Sequence, residues 1–200
     1  LSGAGRTVQI TGFQGALSSR ATIAELTIAD AQGVWLTLRG VTLDWNRSAL
    51  LRRRVEVTEL SATEIILDRP PVADATLPAP EARGFSLPDL PVSVQIGRVA
   101  AGRVVLGKAV LGTAVTATLD ASVRLANGEG EAALSLIRLD EGPGGQVTLD
   151  ASYSNTSRLL VLNLTASEEA GGIAATRLGL PGAPQTTLTV QGQGIVDDFA

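Results

Sequence analysis

Apolar and polar residues alternate with a period of two along most of this chain. In the segment 22–57, for example, Leu26 and Ile28 alternate with Glu25 and Thr27. Because successive side chains of a β-strand point to opposite faces, this alternation is typical of a strand with one apolar and one polar face. The pattern therefore predicts a series of strands that contribute to one apolar surface.

The alternation shifts by one residue near Gly40. Before that position the apolar set is Leu36 and Leu38, whereas after it the apolar set is Leu43 and Trp45. A strand absorbs such a shift through a bulge or a corner, and glycine accommodates the unusual backbone that this requires. We therefore predict a bulge or a corner at Gly40.

A short helix is predicted near 46–53. Asn46 has a side chain suited to cap the helix N-terminus, and Arg52, Arg53 and Arg54 follow at its C-terminal end. Two interpretations of the three arginines remain open at this point. They form either a solvated helix end that the helix dipole favours, or a contact with lipid headgroups at a membrane or with a partner.

Prolines divide the chain into two parts. Six of the nine prolines lie in the segment 69–91, and proline cannot donate the hydrogen bonds of a β-ladder. We predict that 69–91 is a linker or a crossing loop. It separates residues 1–68, an N-terminal β-unit with the short capping helix, from residues 92–200, a β-meander that forms a groove segment and continues beyond the C-terminus.

Strands recur at a steady spacing in the last part of the chain. Separate strands are predicted at 92–96 and 103–106, and the clearest alternation runs over 115–125. Asn127 and Gly128 form a strong hairpin signal. Because the loops are short, neighbours in sequence should pair antiparallel. The predicted fold class is all-β, an elongated antiparallel meander of roughly ten or more strands.

Composition limits the functions that the chain can have. Of its 200 residues, 44% are hydrophobic and 3% are aromatic, and no apolar run reaches the roughly 18 residues that a membrane helix needs. The net charge of −4 argues against nucleic acid as a partner. Residues 1–54 nevertheless carry seven arginines against three acidic residues. We expect the chain to be a segment of a longer protein, since it opens without a methionine or a signal peptide.

The sequence offers no evident catalytic chemistry. It contains neither cysteine nor histidine, which removes thiol nucleophiles, thiolate ligands and the commonest general base. Lys108 is the only lysine, and no strand–turn–helix context supports a Ser–Lys pair. The acidic pairs lie at predicted turns and strand ends, where carboxylates are usually solvated. We therefore expect no enzyme, no metal site and no cofactor.

Periodicity leaves three arrangements of the apolar face open. The sheet can pack against a second sheet as a sandwich, close into a barrel, or stay open as a curved trough with an apolar inside. Two features favour the trough. Only one short helix is predicted to be available as a cover, and aromatic residues, which commonly anchor sandwich cores, are scarce.

Several segments resemble a family of bacterial envelope proteins. They are LSSRATI (17–23), LTIAD (26–30), GVWLTL (33–38), VTLDWNRSALL (41–51), GGIAA (171–175), LGLPG (178–182) and GQGIVDDF (192–199). Together they are similar to the N-terminal periplasmic part of the TamB family, which belongs to the wider AsmA-like group. The resemblance covers most of the chain and is most specific over 17–67.

This resemblance implies a location, a shape and partners. Members of the family are anchored in the inner membrane by one N-terminal helix, which is missing here, and extend through the periplasm as an open, taco-shaped β-sheet. The apolar groove of that sheet carries phospholipids between the inner and outer membranes. With the outer-membrane barrel protein TamA, the family supports outer-membrane protein assembly. The contact with a TamA-like partner would lie beyond this segment.

The resemblance and the alternation together yield a set of candidate groove residues. Those predicted to line a groove for acyl chains are Leu26, Ile28, Leu36, Leu38, Leu43, Val94, Ile96, Val115, Leu119, Val123, Leu134, Leu136, Val147, Leu149, Leu162, Leu164, Leu188 and Val190. Arg52, Arg53 and Arg54 are the candidates for a headgroup or membrane contact. Two alternative functions remain: a structural or chaperone module that pairs with strands of outer-membrane proteins, and a plain β-sandwich scaffold.

Overall fold

A computed structural model describes residues 2–3, 6–16, 20–72, 87–88 and 90–196. Its strands form one curved sheet that does not close on itself, and the strands follow one another across the sheet in chain order. The predicted all-β fold class with an open, curved sheet is therefore confirmed, although one pair of neighbouring strands is parallel where the prediction had every pair antiparallel. No helix within the described ranges is long and apolar enough to cross a membrane.

Eleven strands and three short helices make up the described structure. The strands are β1 (Ser2–Gly3), β2 (Arg6–Gly15), β3 (Arg20–Asp30), β4 (Gly33–Asn46), β5 (Arg54–Leu67), β6 (Ser93–Leu106), β7 (Val115–Ala126), β8 (Glu129–Arg138), β9 (Gly145–Ser154), β10 (Leu159–Glu168) and β11 (Thr186–Ile195). A 3₁₀ helix (Arg47–Arg52) joins β4 to β5, α1 (Lys108–Leu111) joins β6 to β7, and α2 (Ile173–Arg177) joins β10 to β11.

The helices lie at the two opposite ends of the strands. We call the strand ends at Asn46 and Ser93 rim A, and those at Leu67 and Leu106 rim B. The 3₁₀ helix lies at rim A, whereas α1 and α2 lie at rim B. Every strand thus runs from one rim to the other, and a groove along the sheet would run across the strands.

The pair β5–β6 is the one parallel pair among the described strands. A parallel pair requires that the connection return the chain from rim B to rim A. The segment 69–91, predicted as a linker or crossing loop, makes this connection, although residues 73–86 and 89 lie outside the described part of the chain. Since β5 and β6 pair along most of their length, the sheet is continuous across this segment.

Strand β6 combines the two strands predicted at 92–96 and 103–106 into one. Its register against β7 shifts between Ile96 and Val99, and again between Ala101 and Val104. Each shift inserts one extra residue, as a β-bulge does, and a Gly-Arg dipeptide lies at each shift. The prediction of two strands was wrong because the phase of the alternation changes twice within one continuous strand.

The predicted irregularity at Gly40 is present. Gly40 has a φ of 56°, in the left-handed region that glycine tolerates best. A Cβ atom at this position would collide with the Oγ1 atom of Thr63 on the neighbouring strand. That hydroxyl donates a hydrogen bond to the carbonyl oxygen of Arg39, at 2.9 Å. The kink in β4 therefore depends on glycine both for its backbone angles and for the space beside it.

The sheet has no thick core. No large side chain of the described residues is fully buried, and most of the buried apolar residues are alanine or valine. The strands pack against their neighbours in the sheet, and no second sheet lies among the described residues. The stability of the fold therefore depends on the ladder hydrogen bonds and on pairs of side chains on adjacent strands.

Replacing Gly40 tests the kink. We expect Gly40→Ala to lower the free energy of unfolding by about 1–3 kcal/mol, since alanine is strained in the left-handed region and its methyl group must displace Thr63. Gly192→Ala is the matched control, because nothing lies within 4 Å of a Cβ atom there. Urea unfolding of both variants measures the difference. Equal stability of the two variants would contradict the role of Gly40.

Candidate functional site

The pairing of residues between adjacent strands produces a continuous apolar row across nine strands. Each member of this row is the paired neighbour of the next, from β3 to β11. The row, which we call the central row, consists of Ala21, Leu43, Leu60, Val99, Ala121, Leu134, Leu149, Leu164 and Val190. At about 4.8 Å per strand it extends about 38 Å. It forms an uninterrupted aliphatic strip perpendicular to the strands.

All eighteen predicted lining residues lie on the face that carries the central row. Pairs such as Leu26 with Leu38 and Leu119 with Leu136 extend this face towards rim B, and the pair of Ile96 with Val123 extends it towards rim A. We call this surface the apolar face. The register thus brings the candidates together on one surface, and their role in carrying lipid stays a prediction.

The predicted lining omitted four residues of the central row, Ala21, Leu60, Val99 and Ala121, of which Leu60 and Val99 are the larger two. Leu60 lies in a stretch of β5 where the alternation is irregular, and Val99 lies between the two bulges of β6. In β6, the signal that could have located Val99 is the repeated Gly-Arg dipeptide, which marks each change of phase. Counting one extra residue at each dipeptide places Val99 on the apolar face.

The opposite face of the sheet is polar and carries a ladder of ion pairs. Arg39 contacts Glu25 at 3.1 Å and Glu64 at 2.8 Å, and Arg103 contacts Glu64 at 3.5 Å. These residues are direct neighbours on four adjacent strands. The two arginine side chains are at least half exposed. The polar face is therefore suited to water, which leaves the apolar face as the candidate for an apolar ligand.

Near rim B, α2 and the residues after it enclose a cavity of about 740 Å³ over the apolar face. Ile173, Leu178 and Leu180 form one wall, and Leu136 and Val147 belong to the sheet beneath. Ala175 of α2 is completely buried, which anchors the helix. The cavity is lined mainly by aliphatic side chains, which suits an aliphatic ligand.

A buried ion pair borders this cavity. Arg138 pairs with Ala117 in the sheet register, and its Nε and Nη2 atoms donate to the Asp140 carboxylate at 2.6–2.9 Å. Asp140 also accepts the backbone N–H of Thr116 at 3.1 Å. The hydrogen bonds from Arg138 lower the pKa of Asp140 to about 2. Arg138, whose side chain is 10% exposed, also contacts Glu168 at 3.6 Å, so two carboxylates counter its charge on the apolar face.

The end of the crossing segment covers the apolar face near rim A. The backbone N–H of Leu87 donates to Oδ1 of Asn155 at 2.8 Å, and Nδ2 of Asn155 donates to the Leu87 carbonyl at 2.9 Å. The Leu87 side chain lies above Gly130, where a Cβ atom would come within 2.8 Å of it. Tyr153 and Leu160 line the space around this side chain. The apolar face is therefore partly covered near both rims.

Comparisons with protein families, curated proteins and solved structures found no match to this chain. Within the described ranges, no three acidic side chains are grouped so that they could hold a metal ion.

The Arg138–Asp140 pair predicts a specific dependence of stability on pH. Because the pKa of folded Asp140 lies below its ordinary value of 3.8, its charged form stabilises the fold above about pH 4, and this contribution is lost as the pH falls towards 2. Asp140→Asn should therefore be less stable than the natural protein at neutral pH and should lose less stability between about pH 4 and 2.5.

Urea unfolding across this pH range measures the effect. Asp120→Asn is the control, because the Asp120 side chain is 58% exposed and its pair with Arg98 lies in solvent. We expect this control to retain the acid sensitivity of the natural protein. An Asp140→Asn variant that loses as much stability below pH 4 as the control would contradict the assignment.

Proposed function

We propose that this chain is a segment of a bridge-like protein of the TamB type, anchored in the inner membrane and extending through the periplasm. Its apolar face carries phospholipid acyl chains between the inner and outer membranes and supports outer-membrane protein assembly. The observation that carries the proposal is the aliphatic central row across nine strands, which no second sheet covers within the described residues. The resemblance of segments 17–67 to the TamB family supports it independently.

The physics of apolar burial supports an acyl chain as the ligand. Each methylene removed from water contributes about 0.8 kcal/mol, so even a partly shielded chain gains several kcal/mol. The central row contains only alanine, valine and leucine. Such a lining offers no hydrogen-bonding group that would hold a ligand at one position, and a lipid could therefore move along the row while its headgroup stays in water.

A second candidate function uses the edge of the sheet instead of its face. In β11, nine of the ten residues are exposed, and only β10 pairs with it among the described strands. An exposed edge offers unpaired N–H and C=O groups to a strand of another protein. The chaperone alternative would use such pairing, with the strands of outer-membrane proteins as the partners.

The scaffold alternative has weaker support from the structure. A β-sandwich needs two sheets that bury their apolar faces against each other. All the described strands belong to one sheet, and Val190, the central-row residue of β11, is 40% exposed.

Photo-crosslinking separates the lipid function from its alternatives. A photoreactive residue at Leu119 or Leu149 should form phospholipid adducts in cells that produce the protein, because both side chains lie on the apolar face. The same residue at Asp120 or Asp150, their neighbours on the polar face, should not. Mass spectrometry identifies the adducts. Protein adducts from the same photoreactive residue at Thr189, an exposed position of β11, would favour the chaperone alternative, and the absence of both kinds of adduct would favour the scaffold.

A charged side chain in the central row should prevent lipid acyl chains from occupying the apolar face. We expect Leu164→Arg to reduce phospholipid adducts at Leu149 roughly tenfold or more, since an arginine among acyl chains costs about 2.5 kcal/mol or more. Thr165→Arg adds the same charge to the next residue of β10, on the polar face, and should leave the adducts unchanged. Circular dichroism and urea unfolding should find both variants folded. If Leu164→Arg unfolds the sheet, the apolar face is a core and not a groove.

A further inference from the structure

The 3₁₀ helix at rim A presents leucines to solvent. Ala49 is buried, at 3% exposure, and holds the helix against the sheet. Leu50 is 46% exposed and Leu51 is 90% exposed. Such exposure of neighbouring leucines is typical of a site that contacts an apolar environment.

Arginines surround these leucines without acidic partners. Arg47, Arg52 and Arg53 form no ion pair with any described carboxylate, whereas Arg54 contacts Glu56 at 3.3 Å. All four arginines are exposed. The 3₁₀ helix therefore combines exposed leucines with a cluster of arginines that form no ion pair with a described carboxylate. This combination matches the surface of an anionic bilayer, where phosphates lie directly above the acyl chains.

The tip is held in place by specific hydrogen bonds. Oδ1 of Asn46 accepts from the backbone N–H of Ser48 at 3.1 Å and from its hydroxyl at 2.6 Å, which confirms the predicted cap. Nδ2 of Asn46 donates to Glu56 at 3.2 Å. At the other end Arg53, with a φ of 55°, donates its N–H to the carbonyl of Leu50 at 2.9 Å. The exposed leucines therefore sit on an ordered tip.

We propose that the 3₁₀ helix is a docking point for the surface of an anionic lipid bilayer. Leu51, with Leu50 beside it, inserts among the acyl chains, and Arg47, Arg52 and Arg53 bind the lipid phosphates. Charge complementarity selects anionic lipid, and the apolar tip distinguishes a bilayer from an acidic protein surface. This contact is separate from the transport of lipid along the apolar face, so the two can fail independently.

Vesicle binding tests the arginines. The protein should co-sediment with vesicles of phosphatidylcholine and phosphatidylglycerol, and much less with vesicles of phosphatidylcholine alone. Each arginine near the surface contributes about a fivefold change in affinity, so Arg47→Gln with Arg52→Gln should weaken binding roughly twentyfold. Arg98→Gln with Arg124→Gln removes the same charge from ion-paired arginines of the sheet and should have little effect. Equal weakening by both pairs would overturn the proposal.

A labelled cysteine tests the insertion of Leu51. The chain has no cysteine of its own, so Leu51→Cys can carry a single environment-sensitive fluorophore. Its emission should shift to the blue on anionic vesicles. Leu139→Cys, at a leucine 54% exposed near rim B and outside the cavity, is the matched control and should not respond. An unresponsive Leu51 probe, or an equal response at both positions, would overturn the proposal.

The two proposals remain distinguishable in these experiments. If vesicle binding fails while phospholipid adducts still form at Leu119 and Leu149, the docking proposal is wrong and the groove proposal stands. If the tip docks on anionic vesicles but no adducts form, the docking proposal stands alone.

Discussion

The structure depends on a register that keeps the aliphatic side chains on one face through every irregularity of the strands. A shift of one residue turns all subsequent side chains to the opposite face. β4 changes phase at Gly40 and β6 changes phase twice, yet β7 alternates without a break. Because each phase change coincides with a kink or a bulge, Leu43 and Val99 still fall on the same row as Leu134. Without these irregularities, Leu43 and Val99 would lie on the polar face instead.

A single-layer sheet distributes its stabilising contacts differently from a compact domain. Its apolar face cannot be fully buried, so the described structure covers it only near the rims, with α2 at rim B and Leu87 at rim A. On the other face, exposed ion pairs such as Arg39 with Glu64 each contribute little. The ladder hydrogen bonds therefore carry a large share of the stability, and the middle of the apolar face is left to a ligand.

Local patterns predicted the features that depend on neighbouring residues. The strand alternation, the irregularity at Gly40, the hairpin at Asn127 and Gly128, and the Asn46 cap all follow from residues close in sequence. The parallel pair β5–β6 could not be predicted in this way, because it depends on two strands separated by the proline-rich segment 69–91. The cavity beneath α2 also combines distant residues, among them Val104 and Leu178. Contacts between residues that are so far apart in sequence do not affect the alternation of apolar and polar residues within one strand.

The sequence leaves two interpretations of Arg52, Arg53 and Arg54 open, of which the solvated helix end is the simpler, and the structure adds observations that bear on both. A solvated helix end favoured by the dipole needs positive charge but no exposed apolar residue. The dipole of a helix of six residues is also small, and Arg53 lies past its last turn. Leu51 is nevertheless the most exposed of the large hydrophobic residues in the described part of the chain. The proposed membrane contact would account for both the exposed leucines and the positive charge, whereas the dipole accounts only for the charge.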